Sequence, residues 1–132
     1  MRFLDASFLV RYLTGTPETE AIQAAAIIDG VANLQIDGVA LSETAYVLTT
    51  LYRMPRENVV DQLIEVVRKS NIQTYGVKKS LVLQGLMMCR PSARVSFADA
   101  LIWAVARSAG ADVVYSLDQR FPSDGLEVKS TP

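Results

Sequence analysis

Four acidic residues share a setting that suits catalysis, because each lies at the edge of an apolar segment. Asp99 stands near the start of the apolar stretch 97–106, and Asp5, Glu43 and Asp118 flank other apolar segments. Carboxylate oxygens are the ligands that Mg²⁺ and Mn²⁺ prefer, and such ions activate water and polarise phosphoryl groups. The sequence hypothesis is that the four acids meet around a divalent metal.

The composition restricts the chemistry to oxygen ligands. The chain has no histidine and a single cysteine, Cys89, which excludes histidine general bases, Ser-His-Asp triads and the usual zinc sites. Thirteen basic and 14 acidic residues give a net charge of −1, so no global basic field attracts nucleic acid. This balance counts against a simple nucleic-acid binder, but not against an enzyme that reaches phosphates through a metal.

Each acid also has a purely structural interpretation. Asp99 follows Ser96 at the spacing of a capping box, in which the acid reaches back to the serine's backbone N–H. Glu43, directly after a serine, is favoured by the dipole of a helix that begins there. Asp5 suits a helix cap and Asp118 suits a turn after a strand. Taken singly, every one of them is explained as a cap or turn residue, and only the set of four indicates chemistry.

Hydrophobic periodicity predicts alternating strands and helices with no two-residue hairpin between strands. An Asp37-Gly38 turn signal interrupts the second strand, and Ser42 is predicted to cap the helix after it. The predicted strands are 2–4, a short buried strand within 34–41, 72–77, 113–115 and 126–128. The predicted helices are 7–13, 18–29, 43–52, one that opens at Pro55, 79–89, and one that runs from Phe97 to a stop at Gly110.

This alternation predicts an α/β fold, with a short, mostly parallel central sheet flanked by helices on both faces. No repeat or linker divides the chain, so residues 1–132 are predicted to form a single domain. Loops that leave the carboxyl ends of parallel strands converge on one crevice, and Asp5, Glu43 and Asp118 follow predicted strands directly. Asp99 follows a loop, so the pattern alone does not place it in that crevice.

The apolar runs are too short to span a membrane. Asp5 interrupts the first apolar stretch, so no secretory signal pattern opens the chain. We therefore expect a cytoplasmic protein without membrane contact.

Four short segments occur in the order typical of a known family. They are LDASFLVRYL at 4–13, LSET at 41–44, FADALI at 97–102 and SLDQRF at 116–121. Together they resemble the PIN-domain ribonucleases, and most closely the VapC-type toxins of bacterial and archaeal toxin–antitoxin pairs. The resemblance implies a single PIN-like domain in which Asp5, Glu43, Asp99 and Asp118 form an acidic quartet, and it supplies the place of Asp99 in the crevice.

The resemblance implies hydrolysis of RNA phosphodiester bonds with one or two Mg²⁺ or Mn²⁺ ions, which makes the protein an endoribonuclease. Asp5 and Asp99 are the expected direct ligands, and Asp118 binds directly or through water. Glu43 is expected to bind the ion or to orient the water. Members of the family often carry asparagine two residues after the first aspartate, where this chain has Ser7.

Hydroxyl and guanidinium groups near these segments are candidates for supporting roles. The hydroxyls of Ser7 and Ser116 suit either local capping or the binding of water beside the acids. Arg11, Arg94 and Arg120 are candidates for contacts to RNA phosphates, and each alone is equally an ordinary solvated arginine.

The resemblance also implies partners, namely a homodimer and a small antitoxin protein that covers the active site. Some of the apolar surface would then be interface instead of core. One alternative is a PIN-like module that binds RNA or protein without cleaving. A second alternative is a phosphoryl-accepting receiver domain. That fold requires a second acid next to Asp5, whereas this chain has Ala6 and Ser7 there.

Overall fold

The computed structural model describes all residues from Met1 to Pro132. Helices and short strands alternate along the chain, and a π-helical turn, Val47–Leu51, extends the third helix. The helices are α1 (Ala6–Thr14), α2 (Glu18–Ile28), α3 (Gly38–Tyr46), α4 (Arg56–Val67), α5 (Lys79–Met88) and α6 (Phe97–Ser108). The strands are β1 (Leu34–Ile36), β2 (Ile72–Thr74), β3 (Val113–Tyr115) and β4 (Glu127–Lys129). None of the helices combines the length and apolar character that crossing a membrane requires.

All strand pairs are parallel, which confirms the predicted α/β class. β1 pairs with β2, and on the other side of β1 a single parallel bridge joins Phe3 to Gln35. β3 and β4 form a second parallel pair, with Val114 opposite Val128. β2 is shorter than the predicted strand 72–77, whereas β3 and β4 have their predicted lengths. The strands form two separate pairs instead of one continuous sheet.

The boundary between β1 and α3 differs from the prediction. The short strand predicted within 34–41 is Leu34–Ile36, but the helix after it begins at Gly38 instead of Glu43. The carboxylate of Asp37 caps α3 by accepting a hydrogen bond from the Ala40 N–H (2.8 Å). Ser42 is therefore not the cap. Aspartate is among the strongest helix caps, and the residues after it continue with helical spacing on the buried side. The buried residues of α3 are Ala40, Leu41, Thr44 and Ala45.

Helix α6 crosses the middle of the hydrophobic core. Trp103, Ala100 and Ala104 are fully buried, and α6 packs closely on α5. A Cβ atom at Gly85 of α5 would lie 2.9 Å from the Ala100 carbonyl oxygen, so this crossing requires glycine. Although residues 97–106 are almost all apolar, α6 is not buried on every side, because Ile102 is 51% exposed.

Candidate active site

Asp5 lies between the N-terminal segment, which pairs with β1 through Phe3, and the start of α1. Leu4, the residue before it, is buried and donates its backbone N–H to the Gln35 carbonyl oxygen (2.9 Å). The Asp5 carboxylate accepts hydrogen bonds from the Ser7 hydroxyl (2.6 Å) and from the Phe8 N–H (3.3 Å). The Ser7 bond, followed by the Phe8 bond, lowers the pKa of Asp5, because both favour the ionised form. Asp5 is therefore both the predicted helix cap and a carboxylate held charged.

Replacing Ser7 by alanine should raise the pKa of Asp5 toward its ordinary value, which carboxyl-detected NMR titration measures. A carboxylate with a lowered folded-state pKa stabilises the fold above its unfolded pKa of about 4, and this contribution is lost as the pH falls through the lowered value. The melting temperature of Ser7→Ala should therefore lie below that of the parent at pH 7, and the gap should narrow in acid. A gap that widens below about pH 4 would contradict this assignment.

Glu43 lies in the middle of α3 and faces a cleft. Leu41 and Thr44 anchor the other side of the helix in the core, while the Glu43 side chain is exposed and makes no hydrogen bond. The prediction that Glu43 occupies the first helical turn is wrong, so a capping role does not explain this acid. Asp5 and Glu43 both line a cleft of about 670 Å³ between the N-terminal segment, α1 and α3.

Asp37 is a third acid in this cleft, and the sequence analysis treated it only as a turn residue. One of its carboxylate oxygens caps α3 through the Ala40 N–H, and the other makes no hydrogen bond. The signal that identifies it is an aspartate directly after a buried strand and before residues of helical spacing. Arg2 is the only basic residue lining the cleft, so its charge is predominantly negative.

Asp99 lies in the first turn of α6 with a free carboxylate. Its backbone N–H donates to the Ser96 hydroxyl oxygen (3.0 Å), but its carboxylate does not bond back to Ser96, so only half of the predicted capping box forms. The side chain is partly buried. Helix α3 packs against both α1 and α6, and Glu43 lines a second groove together with Ala98, the neighbour of Asp99.

Asp118 closes the predicted turn after β3. Its N–H donates to the Ser116 hydroxyl oxygen (3.0 Å), and its carboxylate accepts bonds from the backbone N–H (2.8 Å) and Nε (3.1 Å) of Arg120. These bonds lower the pKa of Asp118, the side-chain bond most. The pKa of Arg120 is raised, chiefly by Asp118 and to a smaller extent by the charge of Asp99, so Asp99 lies within electrostatic reach of this pair.

Two of the three candidate phosphate-binding arginines are engaged within the protein. Arg120 pairs with Asp118, and Arg11 Nε donates to Glu20 Oε2 (2.6 Å) on the surface. The exposed Arg94 makes no side-chain hydrogen bond or ion pair. Arg94 is therefore the one of the three that is available without breaking an existing contact.

The donor chemistry of these acids fits Mg²⁺ or Mn²⁺, although the four do not form one ready cluster. No three acidic or sulfur-bearing side chains lie close enough together to hold one ion. Mg²⁺ usually keeps several waters and binds through one or two carboxylates plus substrate phosphates, so it needs no cage of protein ligands. Asp5 and Glu43, which share one cleft, satisfy that smaller requirement.

The strands are parallel, lead into helices and are followed by carboxylate side chains. This arrangement defines an α/β domain of the kind in which the functional site lies at the carboxyl ends of the strands. The sequence profile of the PIN domain matches residues 2–123, so the chain belongs to the PIN domain family. This fold is generally that of a nuclease, and its members usually use divalent metal ions. No curated protein and no solved structure matches the chain significantly.

Proposed function

We propose that the protein is an endoribonuclease that depends on Mg²⁺ or Mn²⁺. The observation that carries this proposal is the cleft that Asp5 and Glu43 share in a chain of a nuclease family. Glu43 has no structural task there, since it neither caps a helix nor pairs with a cation. A half-open, negatively charged cleft binds a phosphodiester only with a cation present, because the phosphate is itself negative.

Each acid has a distinct part in the proposed reaction. Asp5, held ionised by Ser7, and Glu43 would hold the ion in the cleft. Asp99, at the start of α6, would join them only after a shift of side chains, because no three acids lie within reach of one ion in this structure. The ion, when bound, would polarise the phosphoryl group and activate a water. Glu43, which no protein donor engages, is free to orient that water. Asp118 would become available to the ion when Arg120 leaves it and binds the RNA phosphate.

Removing the metal should abolish cleavage. Treatment with EDTA should reduce the hydrolysis of a fluorescent single-stranded RNA to background, and added Mg²⁺ or Mn²⁺ should restore it. The Glu43→Gln variant, purified in the same way, should stay at background with every metal, which excludes a contaminating ribonuclease. Cleavage by the parent protein that persists in EDTA would refute the proposal.

The proposal extends to the toxin of a VapBC-type toxin–antitoxin pair that forms a homodimer. Support comes from the groove of about 800 Å³ between α3 and α6, which exposes Tyr46, Ile102 and Val105 beside Glu43. Light scattering should then give twice the monomer mass of 14.5 kDa. The gene should be adjacent to a reading frame for a small antitoxin, and co-expression of that protein should suppress RNA cleavage.

A binding module without cleavage is the second candidate function. The observation that favours it is the lack of three acids at metal-holding spacing. One experiment distinguishes the two candidates. A binding module slows the migration of RNA in a native gel in EDTA and in Mn²⁺ alike, and it leaves the RNA uncut. An endoribonuclease shortens the RNA only when the metal is present.

A further inference from the structure

We infer that Arg56, at the start of α4, is a positioning residue that fixes Asp99 by holding both ends of the loop before α6. Its functional side rests on the proposed metal-dependent nuclease, in which Asp99 binds the ion. The structural side, that Arg56 orders the first turn of α6, stands independently of that function. Arg56 lies in none of the segments that resemble the PIN family.

The Arg56 guanidinium makes three contacts that converge on this loop. Its Nε donates to the carbonyl oxygen of Cys89 (2.6 Å), the residue that ends α5. Its Nη2 donates to the carbonyl oxygen of Val95. The guanidinium carbon lies 4.4 Å from the ring centre of Phe97, the first residue of α6. The planar fork of arginine suits this arrangement, since one group bonds two carbonyls and stacks on a ring.

Two of these contacts are also electrostatically favourable. The Cys89 carbonyl belongs to the C-terminal end of α5, where the helix dipole favours a cation. A guanidinium over an aromatic face gains a cation–π interaction, and the Phe97 ring is buried beneath it. Arg56 is itself partly buried and pairs with no carboxylate. The buried thiol of Cys89 also lies close to the guanidinium, which partly offsets the rise that burial causes in the thiol pKa.

The position of Asp99 depends directly on the residues that Arg56 holds. Val95 immediately precedes Ser96, whose hydroxyl and carbonyl oxygens accept the N–H groups of Asp99 and Ala100 (3.0 Å each). The loop 90–95 contains no helix or strand, so its ends keep their positions through side-chain bonds. Arg56 provides two of these bonds, and the Cys89 thiol provides a weaker one to the Ser96 carbonyl oxygen (3.7 Å). Farther along α6, the contact of Gly85 with Ala100 fixes the helix axis but not its first turn.

A second arginine provides a matched control in the same loop. Arg90 joins the loop to α4 through a two-bond ion pair with Asp61 (2.9 and 3.1 Å). That pair is exposed and touches neither Val95 nor Phe97. Arg90→Ala therefore removes an arginine-mediated link between the loop and α4 while leaving the start of α6 untouched.

Hydrogen exchange followed by NMR tests the structural side of the inference. In Arg56→Ala the amides of Asp99 and Ala100 should exchange about tenfold or more faster than in the parent, because bonds from a charged donor are lost. The exchange rates in Arg56→Lys, which keeps the charge but not the planar guanidinium group, should lie between those of the parent and of Arg56→Ala. Arg90→Ala should leave these two amides unchanged. Equal exchange in Arg56→Ala and the parent would overturn the inference.

Mn²⁺ binding, followed by electron paramagnetic resonance, tests the functional side. Arg56→Ala should bind Mn²⁺ about tenfold more weakly than the parent. Val67→Ala, which leaves a core cavity at the opposite end of α4 from Arg56, should retain parental affinity. If the parent itself binds no Mn²⁺, the nuclease proposal fails, and the exchange experiment still decides the structural role of Arg56. Parental affinity in a folded Arg56→Ala protein would refute the positioning of Asp99 as a ligand.

Discussion

Replacing Asp99 by asparagine should lower the rate of RNA cleavage about a thousandfold, equivalent to about 4 kcal/mol of transition-state stabilisation, if Asp99 binds the metal. The fold should survive, because the capping bond is made by the backbone N–H of Asp99, which asparagine retains. The carboxylate makes no hydrogen bond of its own, so only its favourable charge at the start of α6 is lost, worth about 0.3–1 kcal/mol. Cleavage rates and urea unfolding of the same samples measure both effects.

Glu57→Gln is the matched control for this change. Glu57 is likewise an acid in the first turn of a helix, α4, but it is exposed and lies outside the candidate site. A similar small loss of stability with full cleavage activity is expected, because only the helix-dipole interaction changes. If Asp99→Asn and Glu57→Gln cleave RNA equally well, Asp99 is a cap residue and not a ligand.

The elements that sequence analysis located correctly are those in which several local signals agree. Helix α1 has an aspartate cap before it and Gly15 after it, and this glycine adopts the left-handed conformation (φ 73°) that such a C-cap requires. Asp5 and Glu43 do line one cleft, but not for the predicted reason, because Glu43 reaches it from the middle of α3 and not from the end of a strand. Asp118, predicted at the same edge of the sheet, does not line this cleft. The signals that succeeded for α1 are local to that helix.

The errors arose where one local signal fits two structures. Asp37-Gly38 suits a tight turn as well as a helix start, and what selects the helix is the burial of Ala40 and Leu41 against the rest of the core. The pairing of Arg120 with Asp118 depends on how the turn folds, which residue spacing does not specify. The role of Arg56 could not be predicted, because its hydrogen-bond acceptors are backbone carbonyl oxygens more than 30 residues along the chain. Backbone groups leave no pattern in a sequence.

Replacing Trp103 by alanine should lower the free energy of unfolding by about 3–5 kcal/mol and the melting temperature by about 10–20 °C. The side chain is fully buried, so truncation leaves a large cavity in the middle of α6. Its indole N–H also donates to the Asp124 carbonyl oxygen (2.9 Å), which ties α6 to the segment that follows Asp118. Calorimetry and urea unfolding measure the loss.

Trp103→Phe separates the two contributions of this side chain. Phenylalanine fills most of the cavity but cannot donate to Asp124, whose carbonyl oxygen keeps its bond from Arg107 (3.0 Å), so the loss should be smaller, about 1–2 kcal/mol. Ile22→Ala, at an exposed position of α2, should change stability by about 0.5 kcal/mol or less. A Trp103→Ala protein no less stable than Ile22→Ala would mean that α6 does not cross the core. Asp99, in the first turn of α6, would then have no rigid helix to fix its position.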